Sequence, residues 1–137
     1  MTLPDERYRR GVEIWQLLSG GKPEHVANRV AEIAPDFARM TIEFPFGDVY
    51  SRGALALPMR ELAAIAVLAG LGRLGELRVH VAAALRVGCT GPEIVEILMQ
   101  TAIYAGFPCA SEALAECHDL LVDPGTAEVR AAACERA

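Results

Sequence analysis

Apolar positions in this chain recur with the three-to-four residue spacing of α-helices, and period-two alternation of the kind that marks strands is weak. That spacing predicts a first helix from about Pro4 to Leu18. Pro4 stands near its first turn, and Asp5 and Glu6 favour the positive helix start. Ser19-Gly20-Gly21 ends it. A second helix covers Glu24 to Ile33, and a third runs from Pro35 to about Phe44. Pro45, Phe46 and Gly47 break the pattern, so GDVYSRGALAL at 47–57 reads as a loop. Pro58 opens a helix to about Leu71, which Gly72 closes. The next spans about Leu74 to Val87, capped by Gly88. Thr90 and Glu93 have the spacing of a capping box and start a helix to Ala105. Gly106-Phe107-Pro108 interrupt, and a last helix runs to about Val122, stopped by Asp123-Pro124-Gly125. The fold class is all-α, a bundle of about six to seven helices. It forms one domain over 1–123, with its apolar centre at 58–120 and a tail at 124–137.

Charge enters that centre in few places. The helix after Pro58 is charged only at Arg60 and Glu61, and the rest of it reads as buried, which puts Glu61 at the edge of a dry region. In LGELRVHVAAALRV, Glu76 and His80 are four apart and share a face, and Arg73 lies seven before His80, two turns back on that stripe. A lone histidine on such a helix is most often a satisfied core residue. Three ionisable groups in line are different, because burying them costs several kcal/mol unless they are paired or useful. Arg78 falls off the stripe and reads as a salt-bridging or solvent residue. On the helix after Thr90, Glu93, Glu96, Gln100 and Tyr104 share one face, with Ile94, Ile97, Leu98 and Thr101 opposite. Glu93 and Glu96 suit solvent; Gln100 and Tyr104 are candidates for a pocket or a subunit interface. Cys117 and His118 are adjacent, so they point about 100° apart and cannot form a nucleophile–base pair. His25 reads as a surface residue.

Composition narrows the partners. A 137-residue chain that is 53% hydrophobic and only 6% aromatic suits closely packed helices. Its mean hydropathy of +0.26 points to more apolar surface than a small monomer hides, hence to a homo-oligomer. The net charge is −5, with no basic run, which argues against nucleic acid. The start, MTLPDERYRR, has no apolar leader, and the longest apolar run, 62–72, is too short for a membrane span. A cytoplasmic protein is expected. Cys89, Cys109, Cys117 and Cys134 show no CxxC spacing, so they read as buried small hydrophobes or surface thiols, with no metal site.

The stretch from Arg60 to Leu114 resembles the carboxymuconolactone decarboxylase family, within the alkylhydroperoxidase D-like superfamily. The resemblance is carried by Leu71, Gly72, Arg73, Glu76, Leu77 and His80, by Ala84 to Gln100, and by Tyr104, Gly106 and Pro108. FGDVYSR at 46–52 and RYRRGVEIW at 7–15 extend it. One branch of that superfamily is a dithiol peroxidase with a carboxylate, two cysteines and a histidine. Here the carboxylate matches Glu61 and the histidine His80, but the cysteine positions hold Arg73 and Glu76. The resemblance therefore implies the other branch: a decarboxylase needing no cofactor, all-α, in a trimeric or hexameric ring. This chain departs from it at Arg73-Leu74-Gly75-Glu76, at Phe46 and Tyr50, where tryptophan is common, and at Glu61, where a small residue is common.

The resemblance implies that γ-carboxymuconolactone loses CO2 with its own lactone as electron sink. Arg73 is the candidate clamp for a substrate carboxylate, and His80 the donor to the developing oxyanion. His80 or Glu61 is the acid that protonates carbon. Glu76 is expected to orient His80 or Arg73, and Tyr50, Gln100 and Tyr104 complete the candidate substrate contacts. The alternatives are another small acid or lactone as substrate, or a non-catalytic oligomeric binding protein with Arg73, Glu76 and His80 in an interface cluster.

Overall fold

The computed structural model describes residues 4–21 and 25–122. The side chain of His25, the tail at 124–137 and Cys134 lie outside the described residues, and so does the predicted stop at Asp123. Among the described residues the secondary structure is helical, without strands. The chain divides into two compact units, one ending at Leu57 and one beginning at Pro58.

The first unit holds α1 (Pro4–Ser19), α2 (His25–Ile33), α3 (Pro35–Ile42) and a π-helical segment, Glu43–Tyr50. The predicted break at Pro45-Phe46-Gly47 is corrected here: the chain winds on, with wider turns. Pro45 lies inside this continuous winding, where its missing N–H removes one helical bond and the wider turns give its ring room. Contacts with α1 then hold the winding in place. A Cβ on Gly11 would lie 2.6 Å from the Ile42 carbonyl oxygen, and one on Gly47 would lie 2.5 Å from that of Arg7. Only glycine allows so close a crossing. Arg7 Nε donates to both Asp48 oxygens, at 2.9 and 2.8 Å, and Arg10 donates to the Gly47 carbonyl at 2.7 Å. Glu43 is almost fully buried and accepts from Arg39 Nε at 2.8 Å. The Arg39 guanidinium also lies over the Tyr8 ring, 4.9 Å from its centre.

The second unit holds α4 (Leu57–Gly70, its first residue at the boundary), α5 (Leu74–Arg86), α6 (Gly91–Ala105), α7 (Phe107–Glu116) and α8 (His118–Val122). Ile65, Ala69, Leu77, Val81, Ala84, Ile94, Leu98, Ala113 and Cys117 form its core. The Thr90 capping box is present: Glu93 N–H donates to Thr90 Oγ1 at 3.3 Å, and Thr90 N–H donates to Glu93 Oε2 at 2.8 Å. The last predicted helix is instead two, parted at Cys117. Arg78 accounts for the break. Its guanidinium donates to the Glu116 carbonyl at 2.7 Å and to both Asp119 oxygens at 2.6 Å, which ties α5 to the α7–α8 junction.

A second correction concerns α4. Only Glu61, Ile65 and Ala69 are fully buried on it, and Met59 and Val67 are more than half exposed. Within one chain this helix is amphipathic by exposure even though its sequence is apolar nearly all round. No helix among the described residues is long and apolar enough to cross a membrane.

Candidate active site

Two adjacent helices bring the central pair together. Glu61, Ile65 and Ala69 step by four along α4, so the carboxylate lies on the same buried stripe as two core residues. His80 sits on α5 between Leu77 and Ala84, at the margin of the buried stripe, with its side chain 24% exposed. Glu61 is wholly buried, and its Oε2 is 2.8 Å from His80 Nδ1. In the tautomer in which the carboxylate accepts, Nδ1 carries the proton of this bond. Nε2 is then the ring nitrogen that gains and loses one.

The other Glu61 oxygen, Oε1, is buried without a hydrogen-bond partner in the structure. Leaving a buried polar atom unsatisfied costs roughly 1–3 kcal/mol, so this oxygen is one to which a donor would bind with gain. Cys89 lies on the same side: its Sγ donates to the Pro58 carbonyl at 3.5 Å. Burial pushes its thiol up, and the Glu93 and Glu61 carboxylates add to the effect. It is therefore held as a thiol, not a nucleophilic thiolate.

The other predicted residues are placed differently. Arg73 is exposed, and it precedes α5 instead of lying on it. It is the N-cap, with non-helical backbone at φ −86° and ψ 67°, so the two-turn stripe argument stops one residue short. Its N–H donates to the Leu68 carbonyl and its carbonyl accepts from Leu77, both at 2.9 Å, which makes it the joint between α4 and α5. Glu76 is exposed in the first turn of α5. The carboxylate on His80 Nδ1 comes from α4, so Glu76 is not the residue that holds that nitrogen. Gln100 and Tyr104 stand on the exposed face of α6, Tyr104 at 84%. Tyr50 belongs to the first unit, half-buried, its ring edge-on to Phe46 with centres 5.5 Å apart.

Sequence reasoning missed the Arg7, Arg10, Arg39, Glu43 and Asp48 cluster of the first unit. Its one visible trace was the placing of Arg7 and Arg10 three apart on α1, with Glu43 and Asp48 five apart further along the chain. Among the described residues no group of three His, Cys, Asp or Glu is arranged to hold a metal.

Among the described residues the chain is thus all-α, with a partly exposed histidine seated on a wholly buried carboxylate. Residues 35–119 match the carboxymuconolactone decarboxylase family, and the chain belongs to it. It is 35% identical over 127 residues, 90% of its length and 92% of the relative's, to the 4-carboxymuconolactone decarboxylase of Acinetobacter baylyi. It is 30% identical over 118 residues, 80% of each chain, to the nitrosuccinic acid decarboxylase of Metarhizium robertsii. An uncharacterized 15.0 kDa protein of Paracoccus denitrificans is 33% identical over 94 residues, 66% of this chain and 70% of that one.

Proposed function

We propose that the chain is a cofactor-independent decarboxylase acting on γ-carboxymuconolactone or a close analogue. The observation that carries the reading is the Glu61–His80 pair, set in a chain alike over 90% of its length to a 4-carboxymuconolactone decarboxylase. CO2 leaves the γ carbon, and its bonding pair moves through the ring double bond onto the lactone carbonyl. His80 Nε2–H then protonates the carbon beside that carbonyl, and Glu61 holds the ring in the orientation and tautomer this requires. Arg73 clamps a substrate carboxylate with its two-pronged guanidinium. Glu76, Gln100 and Tyr104 are the remaining substrate contacts.

The reading includes a homo-oligomer, a trimer or hexamer, in the cytoplasm. Its support is the large exposed apolar surface: Ile33, Phe37, Met40 and Phe44 on one side of the first unit, and Ile103 and Phe107 beside Tyr104 in the second.

The test is to incubate the purified protein with freshly generated γ-carboxymuconolactone. CO2 release and product are followed by NMR, with His80→Ala as control. Turnover that His80→Ala lowers by about 10²–10⁴-fold supports the reading; equal turnover in that variant overturns the assignment of His80. A second reading rests on the Metarhizium relative: the substrate is a different small acid, with another group as electron sink. Nitrosuccinate in the same assay separates the two.

A further inference from the structure

We infer that the Glu61–His80 pair carries protons in both directions. It would thereby give this chain a second activity: reversible proton removal, without loss of CO2, from the carbon beside the carbonyl of a β,γ-unsaturated γ-lactone. The inference rests on the decarboxylase reading for its substrate class, but its geometry stands alone. Glu61 has no exposed surface, one of its oxygens lies 2.8 Å from Nδ1, and the other meets no donor. Among the described residues, the carboxylate's one hydrogen-bond partner is thus the imidazole ring. Gaining a proton at Nε2 turns that contact into an ion pair with a wholly buried carboxylate, so the pair has a counter-charge in place for the proton it takes. Losing the proton returns it to a neutral ring still held at Nδ1. The ring therefore keeps one orientation in both states, with part of its edge exposed.

The step balances without a co-reactant. The C–H bond next to the carbonyl breaks and its proton goes to Nε2. The bonding pair moves onto the carbonyl oxygen, leaving an aromatic oxyfuran anion. The imidazolium then returns a proton to the same carbon, or to the γ carbon, where it yields the conjugated isomer. The same oxyfuran skeleton forms when CO2 leaves, so a group placed to protonate it is also placed to create it from the product side.

The experiment uses α-angelica lactone, which carries no carboxylate to lose, in D2O. Deuterium uptake beside the carbonyl and conversion to the conjugated isomer are followed by NMR. The expected result is exchange at least about tenfold faster than with free imidazole at the same concentration, absent in His80→Ala. Glu61→Gln should slow it by about tenfold or more, because the amide still accepts from Nδ1–H but supplies no charge. The ¹⁵N shifts of the His80 ring report whether that variant keeps the Nδ1–H tautomer, which a merely structural effect on the helix would not preserve.

Exchange at the imidazole rate, or exchange unchanged by Glu61→Gln, overturns the inference. CO2 release from γ-carboxymuconolactone with no exchange of the lactone also overturns it and leaves the decarboxylase standing. Exchange without any CO2 release supports it and removes the decarboxylase.

Discussion

Glu61 Oε2 and His80 Nδ1 lie 2.8 Å apart across two neighbouring helices, and Glu61 Oε1 has no partner in the structure. Each residue answers for the other's burial. His80→Ala leaves the whole carboxylate buried and unpaired, and should lower stability by roughly 1–3 kcal/mol. Adding Glu61→Leu to it removes the stranded charge and should recover most of that loss, since apolar replacement of a buried pair is often neutral or better. Urea unfolding of both single variants and the double variant checks this. Additive losses would show that the two side chains are not coupled.

That pairing shows which features of the fold were readable from residue order. The Thr90–Glu93 capping box was legible because both partners lie within one turn of chain. Spacing along α5 pointed to Glu76 as the neighbour of His80, whereas the carboxylate on Nδ1 is 19 residues away on α4. Only the isolation of Glu61 and His80 on apolar helices hinted that they matter. The π segment and the break at Cys117 were hidden for the same reason: arginines far away in sequence hold them, Arg7 and Arg10 in one case and Arg78 in the other. Arg73 was assigned to a helical stripe by counting, but its backbone leaves the helix at that residue.

Cys117 should make the second unit sensitive to alkali. Burial pushes its thiol up to about 11, with Arg78 opposing and Glu116 and Asp119 adding, while an unfolded thiol titrates near 9.0. Between those values the unfolded chain releases a proton that the folded chain keeps. Stability is therefore fully present below the lower value and falls as pH rises toward the upper one, by an order of 2 kcal/mol in all. Unfolding curves across that window should slope more steeply for the wild type than for Cys117→Ala. Parallel slopes would mean that the thiol is not what titrates.

Gly47 is where α1 and the π segment cross. A methyl group there would meet the Arg7 carbonyl oxygen at 2.5 Å, a backbone atom that cannot swing aside. Gly47→Ala should cost about 1–3 kcal/mol through forced backbone movement. Gly53→Ala is the control, because a Cβ there meets nothing within 4 Å. Thermal melting should separate the two variants clearly, and equal melting points would mean that the crossing can open without strain.

Arg73 is the sharpest test of substrate recognition. It is exposed, it caps α5 through its backbone, and that backbone role survives any side-chain change that keeps the same conformation. Arg73→Lys keeps the positive charge and discards the planar fork, so it should leave the melting point in place while weakening a two-pronged grip on a carboxylate. A hydrogen bond to a charged group is worth roughly 1.5–3 kcal/mol, so kcat/KM should fall by about ten- to a hundredfold, mostly through KM. Steady-state kinetics on γ-carboxymuconolactone decide it. An unchanged kcat/KM would take Arg73 out of the substrate site and leave its cation free to serve an interface between copies, which light scattering of the same variant would then reveal as a shift in assembly size.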